Sequence, residues 1–160
     1  MNKIYIITGA NGFLGNNIIR KLEQEENSEI RAFVLKGESI KSLENLKCKI
    51  YYGDITKKET LASVFENTDG KEVFVIHCAG IVYIKSKYNP LVYNVNVNGT
   101  KNIIDKVLNI NAKLVYISSV HAIPECNGVI TETVDFDPNR VEGLYAKTKA
   151  EAAKYVMDAV

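Results

Sequence analysis

Five short apolar segments alternate with longer segments of helical periodicity along this chain. The apolar segments are rich in Ile, Val, Tyr and Phe on consecutive positions, and they are Lys3–Thr8, Ile30–Leu35, Lys49–Tyr52, Val73–His77 and Lys113–Ser118. Consecutive apolar positions predict strands that are covered on both faces, as in parallel sheets. Because strand–helix–strand crossovers are right-handed, the alternation predicts an α/β fold with a doubly wound parallel sheet of five strands.

The segments between the strands have the apolar spacing of helices, and they are Phe13–Glu25, Thr60–Glu66, Pro90–Leu108 and Gly143–Val160. Pro90 suits a first helical turn, and Asn89 before it suits a helix cap. Residues 122–142 have little periodicity. Since a loop of about 20 residues is uncommon inside a compact domain and is usually functional or mobile, we expect this loop to serve the site.

The size and charge of the chain exclude several classes of protein. A length of 160 residues is enough for one domain with a proper core, which we expect to span residues 1–160. The 20 basic and 19 acidic residues give no electrostatic basis for binding nucleic acid or an anionic membrane surface. No apolar run approaches the ~20 residues of a membrane span. The three cysteines lack metal-ligand spacing, which favours free thiols in a reducing cytoplasm and no metal site.

Glycines 9, 12 and 15 follow the first strand and lead into the first helix. A glycine turn lets the backbone approach a pyrophosphate without a Cβ in the way, and it lets the helix sit close to the strand. The helix N-terminus then offers free N–H groups and a positive dipole end to the phosphates. The turn therefore predicts a dinucleotide site, to which we assign Gly9, Asn11, Gly12, Phe13, Leu14 and Gly15.

Two further positions are expected to contact the adenosine half of a dinucleotide. The second strand ends without the carboxylate that would bind the 2′-hydroxyl of NAD, and Lys36 stands one position later. Lys36 is either a partner for the 2′-phosphate of NADP or an exposed surface lysine. Asp54 and Ile55 follow the third strand, where a carboxylate can accept from the adenine amino group and Ile55 can pack on the ring; a simple turn or cap is the alternative.

Tyr145 and Lys149 are four residues apart at the start of the last helix, so their side chains share one face. A lysine ammonium beside a tyrosine favours the phenolate form, which an acid–base group at neutral pH requires. Taken alone, an exposed pair on an amphipathic helix explains the same spacing.

The chain resembles the extended short-chain dehydrogenase/reductase family, in its NAD-dependent epimerase/dehydratase branch. Thr8–Gly15 matches the family pattern T-G-x-x-G-x-x-G, and Tyr145–Lys149 matches Y-x-x-x-K. His77–Gly80 matches the H-x-A-[AG] turn after the fourth strand, and Tyr93–Asn102 matches the N-V-x-G-T-x-N run of the next helix. Tyr116–Ser119 matches the strand end that supplies a catalytic serine. The five motifs cover almost the whole chain in the family's order and imply a Rossmann fold.

The resemblance implies roles for single residues. Tyr145 would be the general acid–base, and Lys149 would favour its phenolate and hold the nicotinamide ribose. Ser119, with Ser118 as the alternative register, would bind the substrate oxygen, and Asn96 would be the family's structural or proton-relay asparagine. Cys78, Ala79 and Gly80 would lie alongside NAD or NADP.

The implied activity is that of a nucleotide-sugar epimerase or dehydratase that acts on a small-molecule substrate. A homodimer is one assembly that the resemblance allows. Residues 30–36 resemble a strand of dihydroflavonol-reductase-like enzymes, so an NADP-dependent carbonyl reductase is the alternative function. A non-catalytic dinucleotide-sensing protein is the third possible function. His121 follows Ser119 by two positions and is expected to face solvent, with substrate contact as the alternative. Because extended members are about twice as long, we expect the C-terminal substrate-binding half to be absent and the chain alone to be almost inactive.

Overall fold

A computed structural model of the chain describes residues 2–85 and 87–159. The expected domain of residues 1–160 and the predicted end of the last helix at Val160 extend beyond these ranges.

The centre of the fold is a parallel sheet of five strands in the order β3-β2-β1-β4-β5. The strands are β1 (Lys3–Thr8), β2 (Ser28–Val34), β3 (Lys49–Tyr52), β4 (Glu72–His77) and β5 (Lys113–Tyr116). The order reverses between β1 and β4, so the carboxyl ends of these two strands border the crevice in which doubly wound folds bind their ligands. The structure confirms the predicted Rossmann fold.

The helices are α1 (Phe13–Leu22), α2 (Ala62–Phe65), α3 (Pro90–Tyr93), α4 (Thr100–Asn109) and α5 (Leu144–Asp158). A π-helical segment, Asn94–Gly99, joins α3 to α4 without a break. Short 3₁₀ turns occupy Lys41–Leu43, Lys58–Leu61, Val120–Ala122 and Pro138–Arg140. The Asn89 side chain accepts a hydrogen bond from the backbone N–H of Leu91 and caps α3, with Pro90 in its first turn.

Four strand boundaries differ from the sequence prediction: β2 ends one residue early at Val34, β4 begins one residue early at Glu72, and two others differ by two residues. β2 begins at Ser28, two residues early, because the Glu29 carboxylate is paired with Arg31 and Lys49 and a polar residue can therefore stand in the strand. β5 ends at Tyr116 instead of Ser118, since Ser119 already caps the following 3₁₀ turn.

Side chains alternate along β1 between two hydrophobic layers. Ile4 and Ile6 lie in the layer that Ile103 and Val107 of α4 complete. Tyr5 and Ile7 lie in the opposite layer, which includes Ile19 of α1. Both faces of the sheet are thus covered, which explains the consecutive apolar positions of the strand sequences. None of the helices in the described residues has both the length and the apolar character needed to cross a membrane.

Candidate active site

A groove of about 310 Å³ lies at the carboxyl edge of the sheet. Eight residues assigned to a dinucleotide from the sequence line it: Gly9, Asn11, Gly12, Asp54, Ile55, Cys78, Ala79 and Gly80. Sequence reasoning missed six further lining residues: Phe33, Leu35, Glu38, Gly53, Ile81 and Val95. The other residues assigned to the dinucleotide do not line this groove: Phe13, Leu14, Gly15, Lys36, Tyr145 and Lys149.

The three glycines of the turn meet different steric demands. Gly9 has φ +63°, and a Cβ on it would lie 2.9 Å from the backbone of Ala79. A Cβ on Gly15 would overlap the carbonyl oxygen of Gly9, so this glycine lets α1 sit close to the end of β1. A Cβ on Gly12 would meet only the Gly9 oxygen, at 3.2 Å, at a position that lines the groove. The backbone at Gly12 is thus open to a ligand such as a phosphate.

Hydrogen bonds tie the glycine turn to the segment after β2. The Asn11 amide donates to the Glu38 carboxylate at 2.9 Å and to the Ser39 carbonyl at 3.1 Å. The Ser42 hydroxyl donates to the Asn11 carbonyl at 2.8 Å. A carboxylate, that of Glu38, therefore faces the groove beside the turn, while Lys36 is exposed outside it. Sequence reasoning missed Glu38 because it looked for the ribose-binding carboxylate at the end of β2, and β2 ends four residues before Glu38.

Asp54 both shapes its own turn and lines the groove. Its Oδ1 atom accepts hydrogen bonds from the N–H of Thr56 at 2.9 Å and from the Thr56 hydroxyl at 2.7 Å. The turn that the sequence offered as an alternative is therefore present together with the groove position. The neighbouring Ile55 is buried, and its side chain fills the space that a Cβ on Gly99 would need.

A buried histidine, next in the chain to the groove residue Cys78, links the ends of β1 and β4. His77 Nδ1 lies 2.6 Å from Thr8 Oγ1, and its Nε2 lies 3.0 Å from Thr100 Oγ1. Burial lowers the pKa of His77 to about 3, and the charge of Lys149 acts in the same direction. His77 is therefore neutral. Neither contact to this residue was foreseen from the sequence.

Asn96 connects the π segment to α5. Its amide donates to the Ile81 carbonyl and to Thr148 Oγ1, both at 3.0 Å, and its Oδ1 accepts from the Ile81 N–H at 2.8 Å. The Thr148 hydroxyl in turn donates to the Tyr145 carbonyl at 2.8 Å. Both amide hydrogens of Asn96 are thus bonded to protein groups. Of the two roles that the resemblance implies, structural support and proton relay, this arrangement suits structural support.

Tyr145 and Lys149 stand on the first two turns of α5, and Gly143 precedes the helix with φ +85°. The Lys149 side chain is buried, and its Nζ donates to the Ile117 carbonyl at 2.6 Å. Burial lowers the pKa of Lys149 to about 8, with the Cys78 thiol acting in the opposite direction. Because Cys78 lines the groove, Lys149 lies next to the dinucleotide region.

A second cavity lies next to the start of α5, with His121 and Ala146 in its wall. The ring of His121 packs edge-on against the Tyr145 ring, with centroids 6.2 Å apart, and the His121 N–H donates to the Ser119 hydroxyl at 3.2 Å. The cavity measures about 330 Å³, and its walls come from the segment after Ser119, from residues 123–142 and from Ala146. His121 therefore lies beside the proposed acid–base, and residues of the expected loop line the cavity next to it.

The described residues bring no three His, Cys, Asp or Glu side chains together for a metal ion. A groove with open glycine backbone, an adjoining buried lysine and a tyrosine on the same helix is a geometry suited to a dinucleotide oxidoreductase.

Residues 6–160 match the model of the 3-beta hydroxysteroid dehydrogenase/isomerase family. The chain belongs to this family. The match confirms the expected membership of the extended short-chain dehydrogenases/reductases. The sterol-4-alpha-carboxylate 3-dehydrogenase (decarboxylating) of Schizosaccharomyces pombe is 36% identical over 165 residues, which cover 99% of this chain and 46% of that protein. The mouse (Mus musculus) 3 beta-hydroxysteroid dehydrogenase type 7 is 36% identical over 129 residues, which cover 75% and 33%.

Solved structures share the fold of this family member. The dTDP-glucose 4,6-dehydratase of Bacillus anthracis, solved in complex with NAD, has a TM-score of 0.77 at 23% identity, over 98% of this chain and 50% of that one. The terminal R domain of the myxalamid biosynthetic pathway has a TM-score of 0.83 at 25% identity, over 98% and 46%. The chain spans no more than about half the length of these relatives.

Proposed function

We propose that this chain forms the dinucleotide-binding and proton-transfer part of an NAD(P)-dependent dehydrogenase that acts on a secondary alcohol. The observation that carries the proposal is the position of Lys149. Lys149 stands one helical turn after Tyr145, and its ammonium lies near enough to Cys78, in the wall of the groove, to lower the pKa of the Cys78 thiol. The acid–base pair and the dinucleotide groove thus form one continuous site.

In this proposal the groove holds the dinucleotide along the carboxyl edge of the sheet. The backbone of Gly9 and Gly12 and the N-terminus of α1 bind the pyrophosphate, and Asp54 and Ile55 hold the adenine. Glu38 lies where a carboxylate can accept from a ribose hydroxyl, which favours NAD, while Lys36 remains a candidate partner of the 2′-phosphate of NADP. When bound, the nicotinamide supplies hydride chemistry.

Proton transfer at the substrate oxygen falls to Tyr145. The Lys149 charge stabilises its phenolate, and the Ser119 hydroxyl holds the substrate oxygen. The Thr148 hydroxyl holds the first turn of α5 by donating to the Tyr145 carbonyl, and Asn96 holds Thr148. These hydrogen bonds fix the backbone of the helical turn that carries Tyr145, which supports its proposed role.

For the substrate we propose an alcohol on an alicyclic ring system of the sterol type. The Schizosaccharomyces pombe and mouse relatives are named for sterol and steroid substrates. The cavity next to the start of α5 has both apolar walls, from Val120, Ile123 and Ile130, and charged walls, from Glu125, Arg140 and Glu142. The preference for a sterol therefore rests on the relatives, and the apolar walls are the part that suits an apolar ring. The nucleotide-sugar substrate expected from the sequence stays the second candidate, since GDP-6-deoxy-D-talose 4-dehydrogenase of Aggregatibacter actinomycetemcomitans is 30% identical over 68% of the chain.

Substrate oxidation tests this proposal in the full-length gene product that carries these residues. We expect NAD⁺-dependent reduction, followed by absorbance of the reduced nicotinamide, with a 3β-hydroxysteroid and not with a GDP-6-deoxyhexose. The opposite preference would favour the sugar candidate. Dinucleotide binding without turnover of any alcohol would favour the sensing protein.

A further inference from the structure

The buried ammonium of Lys149 is held in an uncommon way. Its Nζ donates to the Ile117 carbonyl at 2.6 Å and lies 4.3 Å from the centroid of the Tyr116 ring. None of the ion pairs among the described residues includes Lys149. A buried charge usually requires a partner. Here a carbonyl dipole and an aromatic face serve in its place.

We propose that Tyr116 is a positioning residue that keeps the Lys149 ammonium charged and fixed in place through the face of its ring. This role rests on the proposed function, in which the Lys149 charge serves Tyr145. A carboxylate in the same place would hold the ammonium but would also neutralise its field. An aromatic face attracts a cation by its quadrupole and carries no net charge, so the full positive charge stays available to the phenolate.

The surroundings of Tyr116 fix the ring in this position. β5 places it beside β4, and the His77 ring packs against it with centroids 5.9 Å apart. The Tyr116 hydroxyl is buried and has no hydrogen-bond partner among the described residues, so the hydroxyl does not hold the ring. Packing alone therefore orients the face toward Lys149.

Within the described part of the chain, no group that faces Lys149 supplies a fixed negative charge. From β4 they are the neutral His77 imidazole and the Cys78 thiol, whose pKa burial raises to about 11. From β5 the group is the Tyr116 phenol, whose pKa burial also raises, and Tyr145 is on the same helix as Lys149. At neutral pH the ring face and the Ile117 carbonyl thus offset part of the cost of burying the ammonium.

The direct test is the titration of Lys149 by NMR in this chain, labelled with ¹³Cε-lysine and assigned with Lys149→Met. Phenylalanine at position 116 keeps the ring face, so Tyr116→Phe should leave the Lys149 pKa within about 0.3 unit of the wild-type value. Tyr116→Leu removes the face, and the Lys149 pKa should fall by about one unit. An unchanged Lys149 pKa in a folded Tyr116→Leu protein overturns the proposal.

Should Tyr116→Leu not fold, ring fluorination supplies the same test with almost no change of shape. Mono-, di- and trifluorophenylalanine at position 116 weaken the ring quadrupole in steps. We expect the Lys149 pKa to fall in the same order, and a value independent of fluorination overturns the role of the face.

Because the titration needs neither cofactor nor substrate, it separates this inference from the proposed function. A stepwise fall of the Lys149 pKa in a protein that binds no dinucleotide would support the role of Tyr116 and contradict the function. Dinucleotide binding with a Lys149 pKa insensitive to the ring would do the reverse.

Discussion

The Nδ1 atom of His77 lies 2.6 Å from the hydroxyl oxygen of Thr8, at the ends of adjacent strands β4 and β1. The Thr8 oxygen already accepts from the Ala79 N–H, so its own hydrogen is free to go to Nδ1. His77 Nε2–H then donates to Thr100, whose hydroxyl donates to the Asn96 carbonyl at 2.7 Å. The neutral tautomer with its hydrogen on Nε2 therefore satisfies all of these hydrogen bonds.

Acid should destabilise the protein through His77. The pKa of His77 is about 3 in the folded chain, against an ordinary value of 6.5. As the pH falls from 6.5 toward 3, His77 is therefore protonated in the unfolded chain but not in the folded chain. The contribution of His77 to the free energy of unfolding is thus fully present above pH 6.5 and is lost as the pH falls toward 3. The loss is on the order of 3 kcal/mol at about pH 4.5. Urea unfolding across this range measures the loss.

The two histidines of the chain supply matched variants for this measurement. His77→Gln should be less stable than the wild type at neutral pH but should lose less on acidification. His121 is exposed, and His121→Gln should keep the wild-type slope. An equal slope in wild type and His77→Gln would contradict the buried neutral imidazole.

Dinucleotide binding should respond differently to two glycines of the turn. In Gly12→Ala the methyl group enters the groove, so affinity should fall by about tenfold while the free energy of unfolding changes by less than about 1 kcal/mol. In Gly15→Ala the methyl group overlaps the Gly9 carbonyl, and the unfolding free energy should fall by about 1–3 kcal/mol. Calorimetric titration and thermal unfolding separate the two effects.

A bound dinucleotide should also raise the melting temperature of the unchanged protein, because it binds the folded state alone. No thermal shift with millimolar NAD(H) or NADP(H) would count against the groove as their site.

Cofactor selectivity should depend on Glu38 and Lys36 in opposite ways. Glu38→Gln removes a negative charge from the groove, so the ratio of NADP to NAD affinity should rise by about tenfold. Lys36→Ala should lower that ratio if the lysine reaches the 2′-phosphate, and should leave it unchanged if it is a surface charge. Titration of both variants with both cofactors distinguishes the residues. An unchanged ratio in Glu38→Gln would remove the carboxylate from the ribose site.

Turnover should depend on Tyr145 and Lys149 in the full-length gene product. Tyr145→Phe keeps the ring and removes the titrating oxygen, so kcat should fall by ~10²–10⁴-fold while cofactor affinity survives. Lys149→Met should lower both kcat and cofactor affinity. Single-turnover kinetics and cofactor titration give the two quantities. Wild-type turnover in Tyr145→Phe would contradict the acid–base role.

Local sequence patterns determined the elements of the fold. Consecutive apolar residues in β1, three glycines before α1 and Pro90 after Asn89 each express a demand of the backbone or of a two-sided sheet within a few residues. These features depend on neighbours along the chain, and the five strands were therefore predicted to within two residues at each end, in a doubly wound parallel sheet.

Tertiary structure alone decided which distant side chains meet. Glu38 reaches the groove because the segment after β2 folds back onto Asn11, and His77 bridges Thr8 and Thr100 across 69 and 23 positions. The charge state of Lys149 depends on burial beneath Tyr116 and Ile117, more than 30 positions away. No periodicity encodes such contacts, because desolvation and hydrogen bonding between remote segments arise only when the strands have assembled.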